Sequence, residues 1–237
     1  MLFYRAMTPI KAMTFDLDDT LYDNVPVIKK AEQSLNEELV RITGLNQFTV
    51  TDFNLLKQHV LTLNPDIYHD VVAWRQMTIR YLGHQYGIVS QDIELLVDHL
   101  MDHFTYWRHQ IEIPAQTHQV LSYLAERIPL AVITNGNVEI EKIGLADYFQ
   151  FSLRGGIDGR SKPFADTFAL AARQLNLPSQ QILHVGDNLY TDVLGAVEQG
   201  MQACWINLTG QTIAQQSDAR LLPHIEITDL VELKSLL

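Results

Sequence analysis

The sequence predicts an α/β fold in which a doubly wound parallel sheet carries an inserted helical domain. Short apolar runs of strand length alternate with helical patterns after residue 114, which is typical of a parallel sheet flanked by helices. Residues 24–110 instead show only the three- and four-residue apolar spacing of helices. We therefore expect a core domain of residues 1–22 and 113–237, and a helical cap domain of residues 23–112.

Length, composition and charge indicate a folded chain that does not bind nucleic acid. At 237 residues the chain fits one large domain or a core with an insert, and its hydrophobic content of 47% suffices for a core. A formal net charge of −11 argues against nucleic acid or an anionic membrane as a partner. A small phosphorylated substrate stays compatible, because a metal ion or a lysine reverses the local charge inside a pocket.

Cysteine usage and hydropathy predict a cytoplasmic protein. The chain has one cysteine, Cys204, which excludes an internal disulfide and suits a reducing compartment. The N-terminal residues do not have the pattern of a signal peptide, and no stretch approaches the roughly 18 apolar residues that cross a bilayer. The oligomeric state stays open.

The stretch Ala12–Tyr22 places carboxylates directly after a predicted buried strand, in the order A-M-T-F-D-L-D-D-T-L-Y. Asp16 and Asp18 are two residues apart, so in an extended backbone their side chains share one face. Neighbouring carboxylates repel each other unless a cation or a shared proton relieves them, and Mg²⁺ is suited to that place. Taken alone, the stretch is also compatible with an acidic turn, since Asp is common in turns.

Three further groups of polar residues follow later predicted strands or open a predicted helix: Thr134 with Asn135, Lys162, and Asp187 with Asp192. Because the carboxyl ends of parallel strands face one edge of the sheet, we expect these groups to converge on the carboxylates of the first stretch. Carboxylates, a lysine, a hydroxyl and backbone amides together suit a phosphoryl group with Mg²⁺. One carboxylate would be the nucleophile that forms an aspartyl phosphate, and a second would transfer protons.

The motifs D-L-D-D-T-L, I-T-N-G-N, S-K-P-F and G-D-N-L-Y-T-D resemble, in order and spacing, those of the haloacid dehalogenase (HAD) superfamily. The resemblance implies an HAD-like Rossmannoid core with a C1-type cap. It implies that Asp16 is the nucleophile and that Asp18 is the general acid/base, which also binds Mg²⁺ through its carbonyl. The implied metal ligands are Asp16, Asp18 and Asp187, supported by Asp192, and the implied phosphate-binding residues are Thr134, Asn135 and Lys162.

A closer resemblance within the superfamily implies the substrate. Segments such as I-Y-H-D-V and G-M-Q-A-C-W-I are similar to those of phosphatases for flavin mononucleotide and for the riboflavin precursor 5-amino-6-(5-phospho-D-ribitylamino)uracil. The alternatives are a broad-specificity sugar or nucleotide phosphatase, a 2-haloacid dehalogenase and a non-catalytic phosphate-binding module. Dehalogenases of the superfamily lack the second aspartate of the first motif, so Asp18 favours a phosphatase.

Three residues are candidates for the mouth of the substrate site: Tyr22, Trp74 and Arg75. Tyr22 directly follows the first motif. In the cap, Trp74 would stack on a flat heterocycle, and Arg75 would meet a phosphate or a polar ring edge. Helix packing and a solvated arginine are the alternative interpretation for the two cap residues.

Overall fold

A computed structural model describes residues 1–237. Its contacts divide the chain into two compact units. The core unit consists of Met1–Asp23 and Glu112–Leu237, and the cap unit is Asn24–Ile111. Each junction lies one residue from the boundary expected from the sequence.

The core unit contains a seven-stranded sheet in the order β1-β7-β6-β5-β2-β3-β4. Its strands are β1 (Leu2–Phe3), β2 (Ala12–Phe15), β3 (Leu130–Thr134), β4 (Ser152–Arg154), β5 (Ile182–Gly186), β6 (Gln202–Ile206) and β7 (Ile225–Ile227). All neighbouring strands are parallel except β1 and β7, which are antiparallel. The predicted α/β class is confirmed, but the sheet is mixed rather than wholly parallel, because β1 adds an antiparallel edge strand beside β7.

The central strands explain why the sequence shows continuous apolar runs. Every residue of β2, β3, β5 and β6 is buried, as expected where helices cover both faces of a parallel sheet. β2 lies between β5 and β3, with Thr14 opposite His184 on one side and Ala131 on the other. The residue that follows β2, Asp16, therefore lies at the middle of the carboxyl edge.

The helical segments of the core are α5 (Ala115–Ala125), α6 (Ala165–Leu175), α7 (Gly195–Glu198), a π-helical turn (Leu189–Leu194) and four 3₁₀ turns (Ala146–Tyr148, Ser179–Gln181, Ile213–Gln215, Leu230–Leu236). The sequence suggests a short helix over residues 137–143, but those residues form an irregular segment and turns. Gly144 adopts a left-handed φ of 73° and would end such a helix. The segment before it is too short for its hydrogen bonds to offset the free energy of helix nucleation.

The helices of the cap are α1 (Val25–Thr43), α2 (Val50–Leu63), α3 (Val71–Gln85) and α4 (Ser90–Arg108), with a 3₁₀ turn at Pro65–His69. The sequence suggests one helix over 66–86, but Asp70 divides it. The Asp70 carboxylate accepts hydrogen bonds from the backbone N–H groups of Val72 and Ala73 and so caps α3. No helix of either unit combines the length and apolar character that crossing a membrane requires.

Candidate active site

The strand order brings the predicted site residues of the core to one edge of the sheet. Asp16 directly follows β2, and its backbone N–H donates to the carbonyl oxygen of Val185 in β5 at 2.9 Å. Thr134 ends β3, the neighbour of β2 on the other side. Asp187 directly follows β5. The three polar residues therefore extend from three adjacent parallel strands, as the sequence predicts.

Lys162 joins two of the predicted carboxylates. Its ammonium group donates to Asp16 Oδ1 at 2.7 Å, to Asp192 Oδ1 at 2.6 Å and to the carbonyl oxygen of Ile133 at 2.8 Å. The residue is only 3% exposed, so all three ammonium protons are used in place of water. Such charge-assisted bonds fix the ammonium group in one position and orientation.

Burial and charge shift the pKa values of this group in opposite directions. Burial, with the nearby carboxylates of Asp192 and Asp18, raises the pKa of Asp16 in spite of Lys162. Burial alone would also raise the pKa of Asp192, but Lys162 and a hydrogen bond with His184 hold it below its usual range. Burial opposes the charge of Lys162, yet the two carboxylates keep its pKa raised. At neutral pH, Lys162 is charged and is shared between two acids.

Three carboxylates converge around a point that suits a cation. Oxygen atoms of Asp16, Asp187 and Asp192 all lie within 4.8 Å of one another. Burial, followed by the charges of Asp192 and Asp19, raises the pKa of Asp187 to about 7. One lysine against three acids leaves negative charge uncompensated, and an all-oxygen donor set is the type that Mg²⁺ prefers. The residues present therefore fit a hard divalent cation.

The position of Asp192 depends on Gly186 and on the π-helical turn. A Cβ atom on Gly186 would lie 2.3 Å from the Asp192 carboxyl carbon, so only glycine permits this approach. The backbone N–H of Asn188 donates to Asp192 Oδ2 at 3.0 Å, and the Asn188 side chain caps the start of the turn. Asn188 is thus a supporting residue that the sequence analysis missed.

Thr134 and Asn135 hold the loops around the lysine. The Thr134 hydroxyl oxygen accepts from the backbone N–H of Gly136 at 3.0 Å. The Asn135 side chain donates to the Lys162 carbonyl oxygen at 2.9 Å and accepts from the Lys162 N–H at 2.7 Å. The Asn135 contacts bring that residue to Lys162 and commit its side chain to the backbone. Thr134 directly follows Ile133, whose carbonyl oxygen accepts from the Lys162 ammonium group.

The carboxylate of Asp18 is not part of the group of three. It is half-buried, and its Oδ1 accepts a hydrogen bond of 2.6 Å from the Tyr22 hydroxyl. Asp19, which lies between Asp18 and Tyr22, adopts a left-handed φ of 55° and so turns the chain sharply after Asp18. Asp16 and Asp18 therefore differ in surroundings although they are only two residues apart.

Further polar residues support the site beyond those predicted for it. His184, inside β5, lies 2.8 Å from the Thr14 hydroxyl through Nδ1 and 3.2 Å from Asp192 Oδ1 through Nε2. The Thr20 hydroxyl donates to Asp187 Oδ1 at 3.3 Å, and the Trp205 indole donates to the Asp187 carbonyl oxygen at 2.7 Å. A polar residue within a buried strand, such as Thr14 or His184, was the signal available in the sequence.

The two cap candidates lie in contacts within the cap unit. Arg75 is 5% exposed, and its guanidinium carbon lies 3.6 Å from the centre of the Phe104 ring. The Lys57 ammonium lies 4.3 Å from the centre of the Trp74 ring, and the Trp74 indole donates to the Lys57 carbonyl oxygen at 2.8 Å. Both residues therefore take part in the packing of the cap.

Comparison with known proteins gives close relatives among phosphatases. The chain is 47% identical over 241 aligned positions to the 5-amino-6-(5-phospho-D-ribitylamino)uracil phosphatase YigB of Escherichia coli strain K12, with 100% of both chains covered. It is 28% identical to glyceraldehyde 3-phosphate phosphatase of Pyrococcus furiosus, with 84% of this chain and 81% of that protein covered.

A solved structure and a family description agree with the sequence relatives. The fold is similar to a crystal structure of 2-haloacid dehalogenase from Pseudomonas syringae pv. Tomato DC3000, with a TM-score of 0.88, 34% identity and coverage of 96% of this chain and 97% of that chain. The family described as haloacid dehalogenase-like hydrolase matches residues 10–200. These matches confirm the resemblance seen in the motifs and the expectation of an enzyme. The chain belongs to the haloacid dehalogenase-like hydrolase family.

Proposed function

We propose that this protein is a Mg²⁺-dependent phosphomonoesterase that works through an aspartyl phosphate on Asp16. The observation that supports this most directly is the arrangement around Lys162, whose ammonium group contacts Asp16 and Asp192 while a third acid, Asp187, lies beside them. Such a group presents one oriented carboxylate next to positive charge, which is what in-line attack on a phosphoryl group requires.

In the first step, a carboxylate oxygen of Asp16 attacks phosphorus, and the bond from phosphorus to the ester oxygen breaks. The Asp18 carboxyl group gives its proton to that oxygen, so the product leaves as an alcohol. In the second step, water attacks phosphorus while Asp18 takes a proton from it. The bond from Asp16 to phosphorus then breaks, which releases inorganic phosphate and restores both residues.

Asp16, Asp187 and the Asp18 carbonyl would hold Mg²⁺, with Asp192 supporting them. When bound, the ion supplies positive charge that favours the ionised form of Asp16 and neutralises phosphoryl oxygens. Lys162 orients the nucleophile through its 2.7 Å contact and carries a charge that would attract the phosphoryl group. Thr134 and the backbone near Asn135 would bind the remaining phosphoryl oxygens.

For the substrate we propose flavin mononucleotide and 5-amino-6-(5-phospho-D-ribitylamino)uracil. The support for the second compound is the 47% identity over the full length of both chains to YigB, which is named for it. Flavin mononucleotide is proposed from the resemblance of the sequence segments quoted above. The similarity to the crystal structure of 2-haloacid dehalogenase keeps dehalogenation as a second candidate. Asp18 favours the phosphatase, because an alkoxide needs a proton on leaving whereas a halide departs as a stable anion.

The decisive measurement is release of inorganic phosphate from flavin mononucleotide with Mg²⁺ and with EDTA. Asp16→Asn removes the nucleophile, so we expect a loss of at least about 1,000-fold. Asp19→Asn is the matched control, because Asn also tolerates the left-handed conformation found there, and its activity should stay within about threefold of wild type. Undiminished activity in Asp16→Asn would contradict the mechanism.

Substrate choice is tested separately with a panel that contains both proposed substrates, pyridoxal phosphate and sugar phosphates. We expect the highest kcat/KM for the two riboflavin-related compounds. Comparable values throughout would instead indicate a broad-specificity phosphatase. Chloride release from a 2-chloro acid, without phosphate release from any ester, would indicate a dehalogenase.

A further inference from the structure

The contact between Tyr22 and Asp18 has a consequence for proton transfer. We propose that Tyr22 is a positioning residue for the general acid/base. Its hydroxyl holds Asp18 so that Oδ2 is the oxygen that gives up and takes back the proton. The inference rests on the proposed function, since it gives a role to the second aspartate of that mechanism. The observation that carries it is the 2.6 Å hydrogen bond from the Tyr22 hydroxyl to Asp18 Oδ1.

The tyrosine hydroxyl is held at a fixed point by the core unit. Tyr22 is only 4% exposed, and the backbones of Asp18 and Tyr22 form an isolated β-bridge. The turn between them is closed by a hydrogen bond of 2.9 Å from the Leu21 N–H to the Leu17 carbonyl oxygen. The Thr117 hydroxyl donates to the Leu21 carbonyl oxygen at 2.9 Å. A ring anchored in this way has little freedom to follow a moving carboxylate.

The direction of the hydrogen bond suits both protonation states of Asp18. A tyrosine hydroxyl donates to an ionised carboxylate oxygen and equally to the carbonyl oxygen of a neutral carboxyl group. With Oδ1 accepting this bond before and after the transfer, the exchangeable proton belongs to Oδ2. The Asp18 carboxylate that accepts this bond lies outside the group formed by Asp16, Asp187 and Asp192, so it is not one of the three carboxylates placed to hold a cation.

Leaving groups distinguish positioning of an acid from a structural role. The alkyl ester of flavin mononucleotide must leave as an alcohol and needs the proton, whereas p-nitrophenolate leaves readily as an anion. Because kcat/KM reports the steps up to the first irreversible one, it isolates ester cleavage from the later attack of water. A structural defect lowers kcat/KM for both substrates equally, since both meet the same fraction of active enzyme.

The experiment measures kcat/KM of Tyr22→Phe for flavin mononucleotide and p-nitrophenyl phosphate in one preparation. We expect the first to fall by about tenfold or more and the second by less than about threefold. Tyr4→Phe is the matched control, because it removes another tyrosine hydroxyl from a carboxylate, that of Glu226, at 2.5 Å. The ratio of the two kcat/KM values should be unchanged in Tyr4→Phe.

Two outcomes would overturn the role of Tyr22 and leave the proposed function intact. In one, Tyr22→Phe loses activity equally on both substrates, which would indicate a purely structural contribution. In the other, neither activity changes. Failure of the wild-type enzyme to hydrolyse either ester would instead overturn the proposed function and the role of Tyr22 with it.

Discussion

Both units contain groups of buried or half-buried charged residues. Acids predominate in the core group, and cations predominate in the cap group. In the core, one lysine contacts or neighbours three acids: Lys162 with Asp16, Asp187 and Asp192. In the cap, Arg75 interacts electrostatically with two other cations, Lys57 and Arg108, and with one acid, Glu32, which also interacts with Lys57. Acids therefore outnumber cations in the core group, whereas cations outnumber acids among the cap residues that shift the pKa values of Lys57 and Arg75.

The two units also differ in what replaces water around these charges. In the core, the Lys162 ammonium donates three hydrogen bonds, two of them to carboxylates. In the cap, Arg75 and Lys57 lie over the rings of Phe104 and Trp74, where the ring faces attract cations. Burial of charge alone therefore does not identify an active site. What distinguishes the core is convergence of several acids on one point at the end of parallel strands.

The largest contrast is expected from removal of the central cation of the core. Lys162→Met leaves Asp16 and Asp192 buried without their partner, so we expect a loss of about 3–5 kcal/mol in the free energy of unfolding. Activity should fall by at least about 1,000-fold, because Asp16, the proposed nucleophile, loses its orientation. Urea denaturation and phosphate release measure the two effects.

Lys142→Met provides the control for this substitution. Lys142 pairs with Glu139 at 2.9 Å on the surface, and such exposed pairs contribute little to stability. Both stability and activity should stay close to wild type. A Lys162→Met protein as stable as wild type would show that the core carboxylates do not depend on the lysine.

The candidate site residues of the core were predictable because they follow strand ends. Buried strands appear as apolar runs, and the first polar residue after each run must lie at the edge of the sheet. Asp16, Thr134 and Asp187 were found in this way. The first strand, Leu2–Phe3, was missed because its two residues are exposed and too few to show alternation.

Side-chain partners within the site were not predictable from spacing. The bond between Tyr22 and Asp18 depends on a turn at which Asp19 has a positive φ. The place of Asp192 depends on a π-helical turn, which the spacing of apolar residues does not distinguish from an α-helix. Both depend on local backbone conformations that side-chain periodicity does not encode. The sequence therefore identified the residues of the candidate site but not these contacts.

A smaller effect on stability is expected in the cap. Arg75→Met removes the contact with Phe104 but also relieves repulsion from Arg108 and the unfavourable burial of the guanidinium. Because these contributions oppose each other, we expect a loss of about 1 kcal/mol. Hydrogen exchange resolved by unit would measure it, with Arg80→Met, which breaks an exposed pair with Glu94, as the control. A loss as large as that of Lys162→Met would remove the contrast between the units.

The smallest effect concerns the ionisation of Lys57. Burial, followed by the charge of Arg75, lowers the pKa of Lys57 to about 8. The unfolded chain therefore binds more protons than the folded cap between pH 8 and the ordinary lysine range, so this group makes folding more favourable as the pH rises through that interval.

The rate of labelling of Lys57 by an amine-directed reagent, followed by mass spectrometry across pH 6–11, should show a midpoint near 8. Arg75→Met should raise the midpoint of Lys57 by roughly half a unit to one unit, because one of the two lowering causes is removed. Arg80→Met keeps Arg75 and should leave the midpoint unchanged. A midpoint at the ordinary lysine value of about 10.4 in wild type would show that water reaches the ammonium group, and that the excess of positive charge in the cap is solvated rather than buried.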